Sequence, residues 1–268
     1  MGNRFRIGFH LAVAFLTLLA FVVVFGPALA PYDPLAQNLR NPFGPPTWVN
    51  WLGTDNLGRD VLTRLMIGAR PALTGVLIAV GTAALVGVPW GLTAGYIGGL
   101  LDNILMRIAD ALLVFPGLIL ALVLTAVFGP SLKTSMIAIG FVYSPILARV
   151  VRSGVLVVRN RDYVVVTRLY GLSGWHRMWQ HVLPNAAAPI IVQITLLMGL
   201  SLLAQIGLGF LGVGLQPPNP SWGGALAESF PYIIVSPQAS IVPGVVVVLT
   251  VLSLYRVGDE LRDRFTRE

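Results

Sequence analysis

Long apolar runs parted by short polar segments set the pattern of this chain. The runs fall at about 7–30, 71–99, 111–128, 134–151, 186–214 and 241–255. Each is read as one helical crossing of hydrocarbon, for which roughly 20 apolar residues span about 30 Å. The pattern predicts an all-α, polytopic bundle of six transmembrane helices. Within the second run a small residue recurs at every fourth position: Gly75, Ala79, Ala83, Gly87, Gly91, Gly95 and Gly99. That spacing lines one helix face with a groove into which another backbone can settle. The groove serves either packing inside the bundle or a moving contact with another subunit's helices. Pro116 predicts a kink in the third run.

The polar segments carry their own expectations. Residues 31–50, rich in Pro, Asn and Gly, read as an extramembrane loop. Residues 51–70, WLGTDNLGRDVLTRLMIGAR, predict a short helix capped by Thr54 or Asp55. Its apolar side would hold Leu57, Val61, Leu65 and Ile67, and Arg59, Asp60, Arg64 and Arg70 would let it lie along the membrane surface. Asp102, Arg107 and Asp110 predict a polar turn, residues 216–238 a Pro-rich loop, and residues 256–268 a short charged tail. The expected division is 1–70 for the first span with its loop and amphipathic segment, and 71–268 for the core. Arg4 and Arg6 ahead of so long a first run favour a retained helix over a cleaved signal peptide, although Ala28-Leu-Ala30 resembles a cleavage site.

Composition removes the soluble alternatives: 56% of residues are apolar and 11% charged, with a mean hydropathy of +0.80, as in polytopic membrane proteins. The net charge of +7 sits beside the apolar runs rather than on a soluble face. With both termini in the cytoplasm, 13 of the 18 Lys and Arg residues fall inside, leaving Arg40, Arg59, Arg64, Arg70 and Lys133 outside. The basic 152–184 segment is then cytoplasmic.

Candidate chemistry is sparse. Gly207 to Gly212 satisfies the dinucleotide pattern G-x-G-x-x-G, with Glu228 as the acid, but it ends an apolar run where it should open a helix. Lys133, the only lysine, follows Leu132 where a phosphate loop needs glycine. His10, His176 and His181 are the only histidines and no cysteine is present, so no metal site is expected. No catalytic constellation and no cofactor site can be assembled. The stretches 71–101, 111–132, 186–227 and 229–255 hold no Asp, Glu, Lys or Arg. Ion-coupled transporters generally need ionisable groups in the membrane, so the pattern favours a path driven from elsewhere over a secondary transporter.

Several ordered blocks carry a resemblance. WLGTDNLGRDVLTRLMIGAR, GLTAGYIGGLLDNILMRIADALLVFPGLILAL, FLGVGLQPPNPSWGGAL and GDELRDRF resemble signatures of the permease subunits of bacterial ABC importers. The similarity is to the dipeptide/oligopeptide/nickel group, in its dipeptide permease C type. DYVVVTRLYGLSGWHRMWQHVLPN resembles that family's EAA loop, which meets a groove on a cytoplasmic ATPase. The resemblance assigns ATPase coupling to Arg161, Asp162, Tyr163, Gly171, Trp175, Met178, Trp179, His181, Leu183, Pro184 and Asn185. Gly171 suits a turn between two short helices, and Pro184 ends the second. Trp175, Met178 and Trp179 share one helical face suited to a partner groove. Val165, Val166 and Thr167 stand where the family has Glu-Ala-Ala, which removes an acid and weakens the local helix.

The resemblance implies a non-catalytic, multi-pass subunit of the bacterial inner membrane, forming half of a translocation path. Its implied partners are a homologous second permease, two ABC ATPase subunits or domains that hold the ATP and Mg, and an extracellular binding protein. Uncharged spans fit peptides better than bare cations as cargo. Nickel, other metal chelates and haem stay open as alternatives within the group.

Overall fold

The computed structural model describes residues 2–267, with the side chains of 2–6, 168–169 and 266–267 outside the described set. The expectations on Arg4, Arg6 and Arg168 therefore lie outside the described side chains. Among the described residues there are ten α-helices: α1 Gly2–Leu29, α2 Val61–Ile97, α3 Gly99–Val114, α4 Gly117–Phe128, α5 Leu132–Val158, α6 Asp162–Leu169, α7 Gly174–Arg177, α8 Ala187–Phe210, α9 Trp222–Ser229 and α10 Pro237–Arg267. No strand occurs among the described residues; one isolated bridge joins Thr54 to Asp60.

α2 and α5 form the most extensive helix pair, and small residues explain why. A β-carbon on Gly87 would stand 2.6 Å from the Ser144 carbonyl oxygen, and one on Gly95 would stand 2.9 Å from Val155 Cβ. At Gly91 it would collide with the Ala148 carbonyl, and at Gly140 with that of Ala79. Lipid is as apolar as leucine, so helices associate in a membrane by such close van der Waals packing. Val76, Leu92, Leu147, Val151, Val155, Leu197 and Leu202 fill the adjoining core and are fully buried.

The same contacts establish the topology. Residues 79, 87, 91 and 95 of α2 meet 140, 144, 148 and 155 of α5 in ascending order, so the two helices run parallel. Between two parallel spans the chain must cross back once. The α3–α4 pair makes that return, bent by 90° at its break. Five single helices and this broken pair give six crossings. Pro116 is the cause of the break. It forces Phe115 out of helical conformation, to φ −77° and ψ 138°.

Several boundaries differ from the sequence reading. The amphipathic helix expected over 51–70 does not form as a separate element. Asp60, not Thr54 or Asp55, caps α2 by accepting from the Thr63 amide at 2.8 Å. α2 then runs unbroken through Pro71 and across the expected boundary at residue 70, ending at Ile97 rather than Gly99. The polar turn at Asp102–Asp110 is helical and belongs to α3, and the kink at Pro116 is a full break between helices. α5 extends from Leu132 to Val158, beyond the expected 134–151. Pro145 does not stop it, because the Ser144 hydroxyl donates to the Phe141 carbonyl that the proline leaves unpaired, at 2.7 Å. α8 ends at Phe210, four residues short of the expected run. The charged tail is no loose end: it continues α10.

Candidate functional site

The 159–186 segment joins the ends of α5 and α8 and holds the residues expected to couple. α6 opens at Asp162, an acid in its first turn, where the partial positive charge of a helix start favours it. Arg161, Asp162 and Tyr163 are exposed. Val164 alone in this turn is buried, at 4% exposure, tying α6 to the bundle. Gly171 has φ +74°, the left-handed region that a side chain resists, and reverses the chain toward α7. Ser173 caps α7 by accepting from the His176 amide at 3.3 Å.

Beyond α7 the helix widens into a π turn over Met178–Val182, in which the Leu183 amide donates to the Met178 carbonyl at 3.0 Å. Pro184 has no amide proton to continue the ladder and opens a short 3₁₀ turn into α8. Asn185 Nδ2 donates to the His181 carbonyl at 2.7 Å, which closes the exit. Val182 is fully buried, while His176 and His181 are half-buried with ring centres 6.1 Å apart.

The expected partner face of Trp175, Met178 and Trp179 is not available as one surface. Met178 is buried at 4% exposure, and Trp179 and Leu183 pack against the chain's own core. Only Trp175 points outward, 68% exposed, with its ring 5.5 Å from that of Trp179. Met178 and Val182, at i and i+4, both lie on the inward side. What the segment presents instead is an apolar face on α6 and its end. Tyr163, Val166 and Tyr170 stand at i, i+3 and i+7 and are 43%, 43% and 83% exposed. Valine at 166, in the place of the family's Glu-Ala-Ala, thus adds exposed apolar area to the segment. The sequence signal for it was the aromatic spacing of Tyr163 and Tyr170.

The small-residue stripe faces inward from Gly75 to Gly95. Gly75 packs on the Gln205 side chain of α8, Ala79 and Ala83 are buried, and Gly87, Gly91 and Gly95 receive α5. The contact is therefore with this chain's own helices rather than another subunit's. Gly99 leaves the stripe: it lies past the end of α2 with nothing within 4 Å.

Two ion pairs brace the end of the bundle near this segment. Arg152 grips Asp102 with two hydrogen bonds, 2.6 Å from Nε and 2.7 Å from Nη2, and Arg149 pairs with Asp110. Arg159 Nη1 donates to the Gly95 carbonyl at 2.6 Å, locking the ends of α2 and α5 together. At the opposite end Asp55, Arg59, Arg64 and Glu228 form a buried quartet that sequence reasoning missed. Asp55 accepts from Arg59 Nε at 2.6 Å, Glu228 accepts from Arg64 Nη2 at 3.2 Å, and Arg59 also pairs with Glu228. Two guanidiniums and two carboxylates balance, as buried charges must. Trp222 seals the neighbouring contact, 2% exposed, with its indole donating to the Leu65 carbonyl at 3.0 Å. The available signal was Glu228 itself, the only charged residue between Asn185 and Arg256.

The remaining motifs stay separate from these sites. Gly207 and Gly209 end α8 rather than open a helix, and Glu228 is engaged by the two arginines.

Comparisons place this geometry among transport proteins. The family described as binding-protein-dependent transport system inner membrane component matches residues 87–267. The dipeptide transport system permease protein DppC of Alkalihalophilus pseudofirmus is 39% identical over 92% of this chain and 82% of its own length. The di/tripeptide transport system permease protein DppC of Pseudomonas aeruginosa is 40% identical over 93% of this chain and 84% of its own. The glutathione transport system permease protein GsiD of Pectobacterium atrosepticum is 36% identical over 95% and 86%. Among solved structures, the inward-facing MetNI methionine ABC transporter superposes with a TM-score of 0.63 at 16% identity. It covers 76% of this chain and 95% of that one, a likeness of fold.

Proposed function

Because the chain belongs to the family of binding-protein-dependent transport system inner membrane components, we propose that it forms half of the membrane path of an ATP-driven peptide importer. The observation that carries this reading is the 159–186 segment, where short helices with exposed aromatic side chains connect α5 to α8. In the proposed mechanism two cytoplasmic ATPase subunits or domains bind ATP and Mg and draw together. Tyr163, Val166, Tyr170 and Trp175 sit in a groove on one of them, and the segment carries that motion into the spans. The chain itself binds no cofactor or metal and catalyses no reaction. A homologous second permease completes the path, and an extracellular binding protein delivers cargo. Both termini and the 159–186 segment lie in the cytoplasm, supported by the basic residues gathered there.

Di- or oligopeptides are the proposed cargo, supported by relatives named for dipeptide, di/tripeptide and glutathione transport. The test is uptake of a labelled dipeptide into liposomes holding the assembled complex, with binding protein outside and ATP supplied to the ATPases. Uptake that needs ATP and the ATPases is expected. Transport by this chain alone along an ion gradient defeats the reading, and uptake of nickel in place of peptide reassigns the cargo.

The coupling role makes a separate prediction. Truncating a central interface tryptophan costs about 2 kcal/mol or more, which for Trp175→Ala is roughly a thirtyfold loss of ATPase docking. Gly171→Pro, which cannot adopt the observed φ of +74°, is expected to misdirect α7. For both variants the complex should hydrolyse ATP while moving less solute per ATP. An unchanged ratio of solute to ATP, with normal insertion, removes the segment from coupling.

A further inference from the structure

The turn at residues 47–51 holds apolar side chains out rather than folding them away. Trp48 is 97% exposed, Val49 64% and Trp51 68%. The turn is firmly built. The Thr47 amide donates to the Asn50 carbonyl at 2.8 Å, and the Asn50 amide returns to Thr47 Oγ1 at 3.0 Å. Asn50 Nδ2 also donates to Asp60, the cap of α2, at 2.9 Å. A loop free to collapse would cover two indoles; this one is fastened so that it cannot.

We propose that this turn is a membrane anchor, with Trp48, Val49 and Trp51 seated in the outer interfacial layer of the bilayer beside α1. Three observations select lipid as the occupant. Tyr32, three residues beyond the end of α1, donates its hydroxyl to the Val49 carbonyl at 3.0 Å, which sets the turn at the level where α1 leaves the membrane. α1 is little buried by the rest of the chain, and Phe21, Val24, Phe25 and Leu29 lie exposed on its outer half, so the turn continues a surface already open to acyl chains. Residues 43–53 carry no charge, and the Trp51 indole N–H is satisfied within the turn by the Trp48 carbonyl at 3.0 Å. Trp51 therefore offers an apolar ring with its polar atom already paired, which suits the belt where aromatic rings meet headgroups. Through Asn50 and Asp60 the anchor is tied directly to the start of α2, holding the long helix at a defined depth.

The chain contains no cysteine, so single labels can be placed without background from it. Trp48→Cys and Trp51→Cys, each spin-labelled in the assembled importer in lipid nanodiscs, are compared with Val24→Cys on α1 and Arg40→Cys in the loop. A complex with the unaltered chain subtracts labels on partner subunits, and retained uptake shows that each variant assembles. Accessibility to oxygen and to a water-soluble nickel chelate is read by power saturation. Positions 48 and 51 should favour oxygen, like Val24, with the depth parameter opposite in sign to that at Arg40. A chelate-accessible label matching Arg40 overturns the anchor by placing the turn in water. A label shielded from both reagents overturns it by placing protein on the turn, the binding protein if shielding appears only on its addition. These outcomes do not depend on whether peptides are the cargo.

Discussion

Gly91→Leu is expected to abolish production of folded protein. The glycine lies where α5 crosses α2, and even a β-carbon there would enter the Ala148 carbonyl and approach Val151 Cβ to 2.7 Å. A backbone cannot rotate away as a side chain can. Overpacking a well-filled core costs about 1–3 kcal/mol, and a leucine against two fixed helices belongs at or beyond the top of that range. Because α2 and α5 form the principal pair of the fold, their separation leaves no intact bundle. Gly81 supplies the control: it sits on the same helix with nothing within 4 Å, so Gly81→Leu should match the parent in yield and melting temperature. Monodisperse yield in detergent and thermal unfolding measure both. Parental yield and melting temperature for Gly91→Leu would show that the α2–α5 contact can open freely.

Glu228→Gln should be the most damaging single change outside the helix contacts. It leaves Arg59 and Arg64, whose side chains are only 5% and 6% exposed, sharing Asp55 alone. Breaking a buried ion pair by removing one partner costs about 3–5 kcal/mol. The lower end applies here because the Glu228 side chain is 28% exposed and water relieves part of the imbalance. The loss should appear as a lower melting temperature and as proteolysis of the 31–60 loop, which the quartet ties to α9. Replacing Arg64 and Glu228 together by Met and Leu should recover most of the stability, since an apolar substitute for a whole buried pair is often neutral. If the double variant falls as far as the sum of its single changes, the two residues do not act as a pair.

The crossings were legible because apolar length is a strong signal in a membrane chain, and the small-residue stripe because every fourth position repeats. Boundaries were harder, for a physical reason. Pro71 reads as the start of a helix, yet in α2 it lies ten residues inside one that Asp60 caps. Proline costs less where neighbouring helices and hydroxyls take up the backbone groups it leaves unpaired, as Ser144 does beside Pro145. Pro116 has no such rescue and breaks the chain. In the 159–186 segment the hinge at Gly171 and the exit at Pro184 were visible as residue types. The orientation of Met178 and Trp179 was not, because the core they pack against is built mostly from residues distant in the sequence. The quartet was hidden differently. Its members lie as far as 173 positions apart in the chain, and only a charge-balance argument from the isolated Glu228 could have joined it to Arg59 and Arg64.

The broken return between α2 and α5 bears on how the third crossing is held in the membrane. α4 has 12 residues, about 18 Å of helix, well short of the roughly 30 Å of hydrocarbon. The rest of that crossing comes from α3, on the far side of a 90° bend. α5 offers Met136, Ile139 and Val142, which share one buried cluster with Ala121 of α4. The third passage therefore leans on tertiary contact where the other spans have an unbroken length of helix.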